Sequence, residues 1–133
     1  MKETQLAGCA IIKNEKILLL WKINQEHYEL PGGKVETKET LKEAAKREVK
    51  EEIGIDTDIK EYLGKYTFKI QDKKLISHIY EAKIKENQEP KIKEKETFNK
   101  LKWIPINKHK NYKLAPNVKL FLEDYTNKKT YAP

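Results

Sequence analysis

Residues 33–55 read Gly33-Lys34-Val35-Glu36-Thr37-Lys38-Glu39-Thr40-Leu41-Lys42-Glu43-Ala44-Ala45-Lys46-Arg47-Glu48-Val49-Lys50-Glu51-Glu52-Ile53-Gly54-Ile55, and this stretch decides the fold. From Thr40 to Ile53 most residues are good helix formers and none is proline or glycine. Thr37 or Thr40 can cap the start, and Gly54 stands where a left-handed C-terminal cap belongs. Leu41, Ala45, Val49 and Ile53 recur every four residues and form the stripe that lies on a core. Glu48, Glu51 and Glu52, at i, i+3 and i+4, project from one neighbouring side of the same helix. Like charges so placed repel, and a divalent cation would relieve them; hard oxygen donors suit Mg²⁺ or Mn²⁺. A solvated acidic face with no ligand is the plainer alternative, and spacing alone does not choose between the two.

Upstream, Leu6 to Ile12 and Ile17 to Trp21 read as strands joined by the polar turn Lys13 to Lys16, a hairpin buried on both faces. Ile23 to Tyr28 reads as a polar loop, Glu29-Leu30 as a short run, and Pro31-Gly32-Gly33 as a break in regular structure. Downstream, Ile55 to Leu63, Lys65 to Ile70 and Leu75 to Lys85 read as strands, with a turn over Gln71 to Lys74. The charged stretch Glu86 to Glu96, which contains Pro90, reads as a mobile loop, and Leu101 to Ile104 as a short strand ended by Pro105. Val118, Phe121, Leu122 and Tyr125 give Asn117 to Tyr125 the spacing of a second amphipathic helix, with a frayed tail from Thr126. Strands, helix, strands, helix predict an α+β fold, a mixed β-sheet flanked by helices in an α/β/α sandwich. At 133 residues, a single domain over 1–133 is expected.

The net charge is +7, with lysine far outnumbering arginine. The lysines are spread along the chain without an interleaved basic–aromatic stretch, so they read as a solvating surface, and nucleic acid is not the expected partner. The single cysteine, Cys9, precludes an internal disulfide and fits a reducing compartment. Leu6-Ala7-Gly8-Cys9 has the look of a lipoprotein cleavage site, but only Met1 to Gln5 precede it, with no apolar segment to act as a signal. No apolar run approaches bilayer length. The expectation is a cytoplasmic protein with no membrane partner, a monomer or a homodimer.

Gly33, Glu39, Arg47, Glu48, Val49, Glu51, Glu52, Gly54 and Ile55 match, without a gap, a pattern of greater specificity than any lone glycine-rich loop. It is a glycine, five residues, a glutamate, seven residues, Arg-Glu-aliphatic, one residue, Glu-Glu, one residue, Gly-aliphatic. With Glu29-Leu30-Pro31-Gly32-Gly33-Lys34 before it, the chain resembles the Nudix hydrolases, and most of all their MutT-like branch. The resemblance implies that Glu48, Glu51 and Glu52 hold Mg²⁺ (or Mn²⁺), or that one of them lies beside an activated water, with the Gly33 carbonyl as a further ligand. It implies that Arg47 orients the loop and its acids with Glu39 as ion-pair partner, and that a loop acid upstream of Trp103, Glu94 or preferably Glu96, acts as base.

For the nucleotide, Tyr28, Trp21 and Phe68 are candidates to stack on a base, Lys22 to touch a phosphate and Asn117 to read the base. Their plainer roles are core rings, a surface lysine and a helix N-cap. The implied reaction cleaves a pyrophosphate bond in a small nucleotide. A nucleoside triphosphate such as 8-oxo-dGTP would give monophosphate and pyrophosphate. ADP-ribose and dinucleoside polyphosphates are the alternatives, although Ile70 and Gln71 stand where ADP-ribose pyrophosphatases carry a proline. A non-catalytic nucleotide- or RNA-binding module is the remaining reading, and the intact acids argue against it.

Overall fold

The structure, a computed structural model, describes residues 2–131. Strands β1 (Lys2–Lys13) and β2 (Lys16–Lys22) are joined by Asn14-Glu15, both at positive φ, 52° and 61°. Two such residues make the turn whose twist suits a hairpin. The expected hairpin is nevertheless paired only at its base, Ile12 to Ile17 and Lys13 to Lys16. Beyond it the strands part because each has another partner. β1 runs parallel to β6 (Lys73–Ile84), from Lys2 opposite Lys73 to Ile11 opposite Ala82. β2 lies between the antiparallel strands β3 (His27–Glu29) and β7 (Phe98–Pro105). The short strand β4 (Gly32–Lys34) takes the side of β1 that β2 vacates, with Leu6, Ala7 and Gly8 opposite Lys34, Gly33 and Gly32.

Pro31-Gly32-Gly33 therefore does not interrupt the sheet; two of its residues join it. The need for glycine at Gly32 is close approach and not an unusual φ. A Cβ on Gly32 would stand 2.6 Å from the Ala7 carbonyl oxygen and the Gly8 Cα, both backbone atoms. The two strands predicted over Ile55 to Ile70 are one, β5 (Thr57–Ile70), antiparallel to β6, with irregular register on either side of Tyr62 and Gly64 at φ 136°.

Alternate residues of β2 face opposite layers. Leu18 and Leu20 join Ala7, Cys9 and Ile11 against α1 (Leu41–Ile53). Ile17 and Leu19 join Ala10 and Ile79 against Val118, Phe121 and Leu122 of α2 (Pro116–Tyr131). Burial on both faces holds as expected, and the result is the predicted sandwich, a mixed sheet between helices. A 3₁₀ turn, Ile106–Asn111, which the sequence did not signal, leads from β7 towards α2. Helix α2 starts at Pro116, whose missing N–H a first turn tolerates, and continues past Thr126 where fraying was expected. Among the described residues no helix is long and apolar enough to cross a membrane.

The connection from β6 to β7 differs most from expectation. The Lys91 and Lys93 N–H groups donate to the Ile53 and Glu52 carbonyls (3.0 and 2.8 Å). The Asp56 N–H donates to Gln88 Oε1 (2.7 Å), and Ile92 packs against the α1-side core. Charged composition suggested a mobile loop; unpaired carbonyls at the end of α1 turn it into a strap.

Candidate active site

Helix α1 is fixed at both ends. Thr40, not Thr37, is the cap: its Oγ1 accepts from the Glu43 N–H (3.1 Å) while its own N–H donates to Glu43 Oε1 (2.8 Å). Gly54, at φ 70°, donates its N–H to the Lys50 carbonyl (3.0 Å). So held, the helix buries Ala44, Ala45, Val49 and Ile53. The three acids are thereby graded in depth. Glu52 is 5% exposed, Glu48 is half-buried and Glu51 stands in solvent.

Glu52 Oε1 accepts from the Gly32 N–H (2.9 Å). Burial is the main reason its carboxyl is pushed up to about 9, helped by the charges of Glu48, Glu94 and Glu29, against the Gly32 hydrogen bond. The Glu48 carboxyl is also raised, chiefly by burial and against the pull of Arg47. It occupies the space beside Gly33, where a Cβ would come within 2.5–2.7 Å of the carboxylate atoms. A glycine there leaves room for an acid.

Arg47 ties the arrangement together. Its Nε and Nη2 donate to both oxygens of Glu39 (2.6 and 3.0 Å), and Nη2 also donates to the Lys34 carbonyl (3.0 Å). Nη1 donates to Glu48 (2.9 Å) and Glu51 (3.2 Å), with Glu36 3.3 Å away. The bidentate Arg47 pair holds the Glu39 carboxyl down to about 2, with a smaller part from the Glu36 N–H. One guanidinium thus links helix α1 to strand β4, which carries Gly33.

Among the described residues no three acidic, histidine or cysteine side chains close into a ready metal cage. Glu48 and Glu51 are turned onto Arg47, and Glu52 onto Gly32. The donor chemistry still fits a hard divalent cation. Both carboxyls are raised chiefly by burial, Glu52 further by the charge of Glu48 and Glu48 further by those of Glu51 and Glu94, and the Arg47 guanidinium that offsets Glu48 already serves Glu39.

The predicted nucleotide residues divide. Lys22, Phe68 and Asn117 line one cavity of about 340 Å³ together with Glu29, His27 and Lys34; none of the α1 acids lines it, and Glu29 is the lining residue whose charge reaches Glu52. Lys22 also pairs with Glu29 (3.7 Å), and His27 Nε2 lies 2.6 Å from the same carboxylate. Asn117 is not an N-cap. It sits inside the first turn of α2, and its Nδ2 donates to Ser77 Oγ (3.0 Å). Tyr28 is buried, packed edge-on against Trp21 and Tyr112, so its ring offers no face for a base. Both loop acids are exposed, and Glu94, not Glu96, is the one whose charge reaches Glu48 and Glu52. Sequence reasoning missed Glu29 and Gly32. Glu29, two residues before Pro31, could have been noticed as the acid nearest the glycine turn.

The NUDIX domain profile matches residues 3–125. The chain belongs to the Nudix family. YtkD of Bacillus subtilis, named as a candidate 8-oxo-dGTP diphosphatase, is 46% identical over 66 residues, 50% of this chain and 42% of that protein. The ADP-ribose pyrophosphatase of Methanocaldococcus jannaschii is 45% identical over 60 residues, 43% of this chain and 36% of that protein. The chain thus aligns with less than half the length of either relative. The solution structure of the Escherichia coli ORF135 protein superposes with a TM-score of 0.84 at 25% identity, covering 100% of this Nudix chain and 95% of the other. Nudix hydrolases as a family use divalent metal ions, which agrees with the donor set.

Proposed function

We propose that this Nudix chain is a Mg²⁺-dependent pyrophosphohydrolase of nucleoside diphosphate derivatives, with a MutT-like preference for nucleoside triphosphates such as 8-oxo-dGTP. One observation carries the reading. A nearly buried Glu52 and a half-buried Glu48 stand over strand β4, and Glu29, whose charge reaches Glu52, lines a cavity bringing together Lys22, Phe68 and Asn117. Glu48, Glu51 and Glu52, with the Gly33 carbonyl, are the groups that would hold the ion. Bound there, Mg²⁺ (or Mn²⁺) would offset phosphate charge and lower the pKa of water, so that hydroxide would be available to attack phosphorus near neutral pH.

The chain's own residues supply the rest. Arg47, anchored on Glu39 and on the Lys34 carbonyl, ties α1 to β4 and so keeps the acids of the helix beside the strand that carries Gly33. Glu94, close enough to be felt by both Glu48 and Glu52, takes the proton lost by the attacking water, in preference to Glu96. Lys22 and Lys34 pair with phosphate oxygens, and Phe68 offers a half-exposed ring to the base. The Asn117 amide donates to Ser77, so its Oδ1 is left to accept from a base N–H. The P–O–P bond breaks to give nucleoside monophosphate and pyrophosphate.

The 45% identity to an ADP-ribose pyrophosphatase favours a second reading, in which the same centre cleaves ADP-ribose. A panel of 8-oxo-dGTP, ordinary dNTPs, ADP-ribose and diadenosine polyphosphates, each with and without Mg²⁺, separates the two. The first reading predicts the highest kcat/KM on a nucleoside triphosphate, with pyrophosphate as co-product. A preference for ADP-ribose would replace it, and no Mg²⁺-dependent turnover on any of them would end both.

A further inference from the structure

The lysines are spread along the chain, but the acids that offset them are not. Between Thr97 and Leu122 stand Lys100, Lys102, Lys108, Lys110, Lys113 and Lys119 and no aspartate or glutamate, so this segment carries six of the chain's seven net charges. The fold gathers five of these lysines onto one surface. Lys110, Lys113 and Lys119 line a cavity of about 530 Å³ with Tyr112 and His109, where Glu123 is the one acid. The Lys102 Nζ lies 5.2 Å over the Tyr112 ring, and the Lys100 Nζ 5.3 Å over the Trp21 ring. Trp21 and Tyr112 are joined through the edge-on contacts that each makes with Tyr28 (centroids 4.9 and 6.0 Å). A row of rings with cations above it therefore runs into a basic cavity.

Two further features mark this surface. His109, 5% exposed, commits Nδ1 to the Ile106 carbonyl (2.9 Å) and leaves Nε2 without a partner at the cavity wall. Lys100 and Lys102, two residues apart on strand β7, point the same way at the rise of an extended chain, about 6.6–6.8 Å between them. Lysines at extended-chain spacing, beside aromatic faces, are what an unpaired nucleic-acid backbone requires: a cationic track for phosphates and rings for bases.

We infer that the Lys100–Lys102 edge and the Lys110–Lys113–Lys119 cavity form a binding surface for single-stranded nucleic acid, separate from the acids of α1. The segment that supplies Leu114 to this cavity continues directly into Ala115, Pro116 and Asn117, which line the other cavity. Free phosphates share the backbone's charge, and the test distinguishes them.

Fluorescence anisotropy of a labelled single-stranded oligouridylate, in EDTA so that hydrolysis plays no part, should show binding that weakens steeply with salt. Changing Lys110, Lys113 and Lys119 together to Gln should make the log–log salt slope shallower by about 2, since each lost contact to a single strand removes roughly 0.7. Tyr112→Leu should weaken binding several-fold and leave that slope unchanged. Mg²⁺-dependent turnover of a mononucleotide by the triple variant should match wild type. Absence of binding at low salt, or an unchanged slope in the triple variant, overturns the inference. Competition by pyrophosphate as effective as unlabelled oligonucleotide at equal phosphate also overturns it, by making the surface a small-anion pocket.

Discussion

Replacing Glu52 with glutamine should stabilise the metal-free protein while destroying its activity. Glutamine keeps the shape of the side chain and an oxygen able to accept from the Gly32 N–H, so packing and that 2.9 Å hydrogen bond survive. What changes is the charge. The Glu52 carboxyl ionises near 4.5 when solvated and near 9 in the fold, mainly because it is buried and secondarily because Glu48, Glu94 and Glu29 lie near it. A raised pKa penalises the ionised form, so the penalty is absent below about pH 4.5 and grows as pH rises towards 9. At pH 7 it amounts to about 3 kcal/mol, from roughly 1.4 kcal/mol per pH unit above the unfolded-state value. Glutamine bears none of it. Thermal unfolding in EDTA should show the variant melting higher at pH 7, by on the order of 10 °C, with the gap closing near pH 4.5. Mg²⁺ should narrow the gap by stabilising the wild type alone. Equal melting temperatures across that pH range would refute the argument that Glu52 is a strained acid awaiting a cation.

Gly32→Ala should lower stability by about 1–3 kcal/mol, because its Cβ meets fixed backbone 2.6 Å away; unchanged denaturant unfolding would show that β1 and β4 can part freely. Arg47→Lys removes the fork that grips Glu39 and the Lys34 carbonyl, so kcat should fall by about 10- to 100-fold with little change in KM. NMR titration of that variant should find the Glu39 carboxyl well above about 2; if it stays there, Arg47 is not the cause. Cys9 is buried, with its thiol pushed up to about 12 by burial and then by the Glu52 charge. It should resist a thiol reagent at pH 8 in the native protein and react at once in denaturant; rapid native labelling would contradict its placement.

Much of this was legible in the sequence because it depends on neighbours a few residues apart. The helix, its glycine stop and its buried stripe follow from local propensity and period, and only the choice of Thr40 over Thr37 needed the Glu43 side chain to be seen. Long-range competition explains most of the rest. Nothing within residues 6–21 says that β6 and β4 will outbid β2 for β1, so a local reading closes the hairpin. The strap over residues 86–96 is held at Ile53 and Glu52 by backbone N–H groups, which any sequence possesses. The acids were legible as a set but not their unequal depth, which arises from Gly32 and the sheet below. Asn117 does line the same cavity as Lys22 and Phe68, although its cap role fails because Pro116 already begins α2.

A Mn²⁺ titration followed by electron paramagnetic resonance, with Mg²⁺ as competitor, bears most directly on the proposed chemistry. Wild type should take up the ion and release it to Mg²⁺, while Glu48→Gln and Glu52→Gln should each weaken uptake by at least tenfold without unfolding. No uptake at millimolar Mn²⁺, or equal uptake by both variants and wild type, would contradict a metal centre built on these glutamates.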